Sequence, residues 1–303
     1  MIEMAGVRAV KAGWYNAFRP WTLHGAIIPV LLGGAMAYAA GSREWFLLIL
    51  ALIGGVLLQS AANLLNTYGD FETGLDTEEN HTRSPELVTG KLRPKDVFRM
   101  GMLCILITVL LGVVMIWQTG WGILWFGLAG VIGAGTYTVG VSYKYMGLGQ
   151  LSVFVMMGLL MPMGTYYLMT GDVSWAVLLA SLPNAMMITA VLGGNELRDF
   201  DSDYAAGVRT QSGRLGYDRA MKLYMFMNTV PFVIVPILIL LKVLPWPTLL
   251  VFLALYQWNI TRTNAAHAKG SKKESFMLVP LAFKQNWVFG LLLIIGYLLG
   301  LYI

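Results

Sequence analysis

Long apolar runs, separated by short polar connections, recur from one end of the chain to the other and leave few folds open. A transmembrane helix needs about 20 mostly apolar residues. Such stretches fall at roughly 21–40, 45–67, 97–117, 121–142, 148–170, 173–196, 220–242, 246–260 and 285–303. The eighth is short and follows Pro245 and Pro247. Only 12% of the residues are charged against 57% hydrophobic, about half the charge density of a soluble domain. A single soluble globule could not hide that much apolar surface, and disorder requires the opposite composition. The expected fold is all-α: a polytopic membrane protein of nine transmembrane helices. The lone Cys104 excludes an intramolecular disulfide, and His24, His81 and His267 lack the spacing of metal ligands.

The basic residues set an expected orientation. Of the 21 Lys and Arg residues, all but Arg43 and Lys242 fall before the first span or in connections after even-numbered spans. By the positive-inside rule the N-terminus and those connections are cytoplasmic, so the net charge of +5 is a topology signal and gives no support for nucleic-acid binding. Arg262, Lys269, Lys272 and Lys273 read as a loop facing anionic lipid.

Thirteen of the 16 acids, all but Glu3, Glu44 and Asp172, follow even-numbered spans or sit at their cytoplasmic ends. Two clusters stand out. Asn66, Asp70, Gly74 and Asp76 end the second span, and Asn195, Asp199, Asp201 and Asp203 end the sixth. Each contains Asn-x3-Asp and each is followed by Gly and Arg. Four spans separate them, so they share side and direction, as an internal duplication would produce. The chain reads as one domain over 1–303, with halves near 20–145 and 146–260 and a last helix at 285–303.

Residues at i and i+4 lie on one helix face, about 6 Å apart along the axis. Asn66 therefore faces with Asp70, and Asn195 with Asp199 and Asp203. On the second span the stripe runs back through Asn63 and Gln59. At membrane depth such residues must turn toward the bundle interior. Two converging carboxylate clusters repel unless something positive lies between them, and hard oxygen ligands suit Mg²⁺ held jointly by carboxylates and a substrate's phosphates.

With these motifs in order, the sequence resembles the UbiA family of intramembrane prenyltransferases over nearly its whole length, from Arg19-Pro20-Trp21-Thr22 to the last span. The first family signature matches Asn66, Asp70 and Asp76, with Gly74 where many members carry the third acid. That variant, followed by Thr77-Glu78-Glu79, is similar to the branch acting on 1,4-dihydroxy-2-naphthoate in menaquinone synthesis. The second signature matches Asp199 and Asp203. Tyr137 and Lys144 lie in a stretch resembling the family's fourth-span end, where a Tyr and a Lys approach the diphosphate.

The resemblance implies a central cavity capped by short helical loops on the cytoplasmic side. It implies Mg²⁺-dependent transfer, with two ions, of a polyprenyl group from polyprenyl diphosphate to an aromatic acceptor in the bilayer. Asn66, Asp70, Asp76, Asp199 and Asp203 would ligate metal. Asn66, Asn195, Arg83, Lys91, Lys144 and Arg209 would bind diphosphate. The four aspartates, Lys144 and Tyr137 would carry the catalysis. Tyr68, Tyr137 and Tyr166 are candidates to face an allylic cation. No protein partner is implied. Other acceptors in the family (4-hydroxybenzoate, homogentisate, glyceryl phosphate lipids) stay open. A CDP-alcohol phosphotransferase would carry Asp-Gly-x2-Ala-Arg, which is absent, and a cation-coupled transporter would place its acids near the midplane.

Overall fold

In a computed structural model, residues 13–74, 76, 85–136 and 146–303 are described, and all regular structure among them is helical. A short α1 (Trp14–Phe18) and a 3₁₀ turn lead into α2 (His24–Ala39); α3 (Trp45–Glu72) follows. After α4 (Pro85–Val88) come α5 (Pro94–Thr119) and α6 (Ile123–Gly135). The chain continues through α7 (Gly149–Thr170) and α8 (Trp175–Arg198) to the short α9 (Phe200–Ala205) and α10 (Gln211–Leu215). Then α11 (Tyr217–Leu240), a 3₁₀ stretch Trp246–Ala254, α12 (Leu255–His267) and α13 (Lys272–Leu299) complete the bundle.

Among the described residues seven helices are long and apolar enough to cross a membrane: α1 with α2, α3, α5, α7, α8, α11 and α13. The fourth expected span is represented by α6, which is shorter, with its expected continuation to 142 beyond the described residues. The eighth is the 3₁₀ stretch running into α12, a tight start imposed by Pro245 and Pro247. Outer faces carry what a bilayer would cover. On α5, Leu106, Leu110 and Val113 are more than half exposed. Trp45, Trp117, Trp175 and Trp246 cluster where helices start or end, as interfacial tryptophans do.

Two expected boundaries move. The second span, read as 45–67, continues helical to Glu72. At 1.5 Å per residue its 28 residues reach about 42 Å, beyond a hydrocarbon core of about 30 Å. Asp70 therefore sits at an interface, on helix rather than loop. The last span, read as 285–303, is helical from Lys272 to Leu299. Its first turns carry Lys272, Lys273 and Glu274, which an apolar count discards. Helix α12 likewise replaces much of the loop read at 262–273.

The packing divides around a central space. One core joins α2, α8, α11 and α13 through Leu32, Met187, Phe232, Phe289 and Leu293. Another joins α1, α3, α4 and α5 through Ala17, Leu64, Leu65, Leu87 and Val97. A π-helical stretch, Phe154–Leu160, widens α7 just before Pro162, whose ring would otherwise meet the carbonyl of residue 158. Met156 and Met157 in that stretch line the central space.

Candidate active site

The C-terminal ends of α3 and α8 flank a cavity of about 550 Å³. From α3, Gln59, Asn63, Asn66 and Asp70 all line it, one stripe at intervals of three and four residues. Asn63 Nδ2 donates to Thr22 Oγ1 and to the carbonyl of Phe18, both at 2.9 Å, tying α3 to the segment before α2. Asn66 Nδ2 donates to Asp70 Oδ2 at 2.7 Å. The helix then stops. Gly74 takes φ +72°, a left-handed value that ends helices. The Asp76 N–H donates back to the carbonyl of Asp70 at 3.2 Å, so the Asp76 carboxylate lines the cavity beside Asp70.

On the opposite side α8 presents Asn195, Glu196, Arg198 and Asp199. The Asp203 N–H in α9 donates to the carbonyl of Asp199 at 2.9 Å, and Asp203 also lines the cavity. Arg198 donates from Nε and Nη2 to the two Asp199 carboxylate oxygens, each at 2.7 Å. Arg19 enters from the α1–α2 side and donates from Nη2 to Thr67 Oγ1 at 3.2 Å. Its backbone is left-handed, φ 50° and ψ 59°, a conformation that costs a non-glycine residue on the order of 1–3 kcal/mol and concentrates at functional sites.

The charge is lopsided. The described lining holds five carboxylates (Asp70, Asp76, Glu196, Asp199, Asp203) against the guanidinium groups of Arg19 and Arg198. The carbonyl ends of α3 and α8 add partial negative charge, and none of the four aspartates is more than 8% exposed. Beyond this rim the wall turns apolar, with Leu58, Met156, Met157, Met161, Ile188 and Phe283. Among the described residues no three Asp, Glu, His or Cys side chains converge into a ready-made metal cage. The Asp70, Asp76, Asp199 and Asp203 carboxylates are hard oxygen donors that suit Mg²⁺, which is commonly held by one or two carboxylates with the substrate's phosphates completing its shell.

The structure thus brings together Asn66, Asp70, Asp76, Asn195, Asp199 and Asp203. It does not bring Lys91 or Arg209 to the cavity. Lys91 is exposed in the turn after α4. Arg209 is exposed too; it stacks over the Tyr204 ring at 4.1 Å and donates to the Tyr204 carbonyl at 3.2 Å, because the loop after α9 turns its side chain outward. Arg83, Tyr137 and Lys144 lie outside the described residues. Tyr68 packs on Phe98, and Tyr166 against the α2–α13 core, so neither faces the cavity. Spacing does not single out Arg19, Arg198 or Glu196. Arg19 stands in the sequence as a basic residue opening the Arg19-Pro20-Trp21-Thr22 stretch, and the one signal for Arg198 is that it directly precedes Asp199.

Residues 26–287 match the model of the UbiA prenyltransferase family. A 1,4-dihydroxy-2-naphthoate octaprenyltransferase of Haemophilus influenzae is 34% identical over 67% of this chain and 69% of its own length. The UbiA prenyltransferase domain-containing protein 1 of Danio rerio is 32% identical over 75% and 68%. Among solved structures, a UbiA homolog from Archaeoglobus fulgidus superposes with TM-score 0.65 at 13% identity, covering 95% of this chain and 99% of that one. The homolog bound to DMAPP and Mg²⁺ gives 0.59 at 14% identity, over 91% and 98%.

Proposed function

Because the chain belongs to the UbiA prenyltransferase family, we propose that it transfers a polyprenyl group from polyprenyl diphosphate to a dihydroxynaphthoate within the membrane, using two Mg²⁺ ions. The observation that carries this reading is the anionic rim joined to an apolar chamber. A bare diphosphate would be repelled by five carboxylates and two carbonyl-rich helix ends. A diphosphate accompanied by divalent cations would be attracted. Bound Mg²⁺ would supply charge neutralisation of the leaving diphosphate.

The remaining work falls to the chain. Asn66, Asp70 and Asp76 on one side, and Asn195, Asp199 and Asp203 on the other, would hold the metal–diphosphate head between the two helix ends. Arg19 and Arg198 offer donors to oxygens that gain charge as the allylic C–O bond breaks and its electron pair leaves with the diphosphate. The allylic carbon is left cationic. Leu58, Met156, Met157 and Ile188 keep water from it, and the Phe283 ring offers a π face. An electron-rich acceptor carbon forms the new C–C bond, and the ring regains aromaticity by losing a proton or, from a carboxylated carbon, CO₂. On this reading the rim faces the cytoplasm, as the distribution of Lys and Arg supports.

The naphthoate assignment is supported by the similarity to the Haemophilus protein and by the Gly74-x-Asp76 pattern. Detergent-purified protein with Mg²⁺, a labelled prenyl diphosphate and a panel of acceptors (dihydroxynaphthoate, 4-hydroxybenzoate, homogentisate, glyceryl phosphate) tests it by mass spectrometry. Prenylated naphthoquinol is the expected product. Exclusive modification of another acceptor would reassign the acceptor, and no product with any would overturn the function.

A further inference from the structure

We propose that Glu196 is a positioning residue: its carboxylate clamps the segment after the second acidic motif, and so sets Asp199, Asp203 and Thr210 around the diphosphate. The inference rests on the prenyltransferase reading above for what is being positioned. The clamp itself stands on geometry. Glu196 Oε2 accepts from the Ser212 N–H at 2.9 Å, from Ser212 Oγ at 2.8 Å and from Gln150 Nε2 at 2.8 Å. All three residues are buried: Glu196 5%, Ser212 1% and Gln150 3% exposed.

A carboxylate is costly to bury unless donors replace its water. An ionised carboxylate accepts such donors in charge-assisted hydrogen bonds, about twice as strong as those to a neutral acceptor. A neutral residue here would make a weaker tie. The position in the chain gives the tie its purpose. Glu196 lies one residue after Asn195 and three before Asp199, on the last turn of α8. Ser212 belongs to α10, and the intervening chain carries Asp203 and then Thr210, whose Oγ1 accepts from the Gly213 N–H at 3.2 Å. Both Asp203 and Thr210 line the cavity.

Gln150 adds a third segment, the first turn of α7. Just before it, Gly147 at φ +70° lets the backbone run so close that a Cβ there would stand 2.5 Å from Arg214 Nε and 3.1 Å from the Arg209 carbonyl oxygen. The start of α7, the end of α8 and the 206–216 segment are therefore locked around one buried charge. The sequence draws attention to Asn195 and Asp199 on either side, yet it is Glu196 whose Oε2 is held by donors from two other segments.

The test uses full-length protein in detergent, comparing wild type with Glu196→Gln, Ser212→Ala and Glu196→Leu. One readout is hydrogen–deuterium exchange across 206–216 without added metal or substrate. The other is binding of geranyl diphosphate in saturating Mg²⁺. Exchange should rise at least about tenfold in Glu196→Leu and affinity should fall at least about tenfold, with Glu196→Gln and Ser212→Ala intermediate in both. Wild-type exchange or wild-type affinity in Glu196→Leu would overturn the proposal. If that variant does not fold, the two milder ones decide: both readouts shifted supports the clamp, and either one at the wild-type value overturns it. Failure of the wild-type protein to bind geranyl diphosphate would contradict the substrate reading, while the exchange measurement still judges the clamp.

Discussion

The backbone N–H of Asp76 donates to the carbonyl of Asp70 at 3.2 Å, folding the chain back so that two acids six positions apart share one wall of the cavity. The turn depends on Gly74 at φ +72°, where an added Cβ would meet nothing within 4 Å. Any penalty for substitution is thus conformational, roughly 1–2 kcal/mol for an ordinary L-residue, more for a β-branched one and less for Asn. Gly74→Val should lower prenyl transfer strongly and Gly74→Asn only slightly. Asp76→Ala should cost at least about 100-fold, the scale of losing a transition-state stabiliser. Initial rates on the purified variants check this, and a neutral Asp76→Ala would reduce that carboxylate to a bystander.

Arg19 separates stability from activity. Its left-handed backbone is strained by on the order of 1–3 kcal/mol, whereas its guanidinium faces the cavity and Thr67. Arg19→Gly should melt at the same or a higher temperature while turning over about 10- to 100-fold more slowly, the loss expected for a charged hydrogen bond. Thermal melting and initial rates measured on one preparation give both numbers.

Glu86 is fully buried, accepting from Asn16 Nδ2 at 2.6 Å through Oε1, and Oε2 has no hydrogen-bond partner among the described residues. Asn16→Leu would bury the carboxylate without that donor. A loss of about 2–3 kcal/mol is expected, with Glu86→Gln much milder. Thermal or denaturant unfolding in detergent measures the difference.

What the sequence made legible followed its periodicities. The limits of α5, α7 and α8 fall within three residues of the apolar runs, because those helices present lipid or core on most faces. The Asn-x3-Asp spacing put Asn66 with Asp70 and Asn195 with Asp199, since i and i+4 share a helix face whatever the tertiary fold. Reading apolar runs failed where helices continue beyond the apolar zone, as at 68–72 and 272–274. It also could not sort cations. Arg19, Arg198, Lys91 and Arg209 look alike as basic residues near one side of a membrane. Tertiary placement separates them: Arg19 and Arg198 line the cavity, whereas Lys91 is exposed after α4 and Arg209 stacks outward on Tyr204.

On the proposed function the two acidic helix ends act together on one metal-bound prenyl diphosphate. The most direct measurement is the rate of prenyl transfer, at saturating Mg²⁺, by wild type, Asp70→Ala, Asp199→Ala and the double variant, with an EDTA control. Each single variant should lose at least about 100-fold, with little further loss in the double, because residues acting as a unit are not additive. No turnover is expected in EDTA. Near-normal transfer by either single variant, or full turnover in EDTA, would contradict that reading.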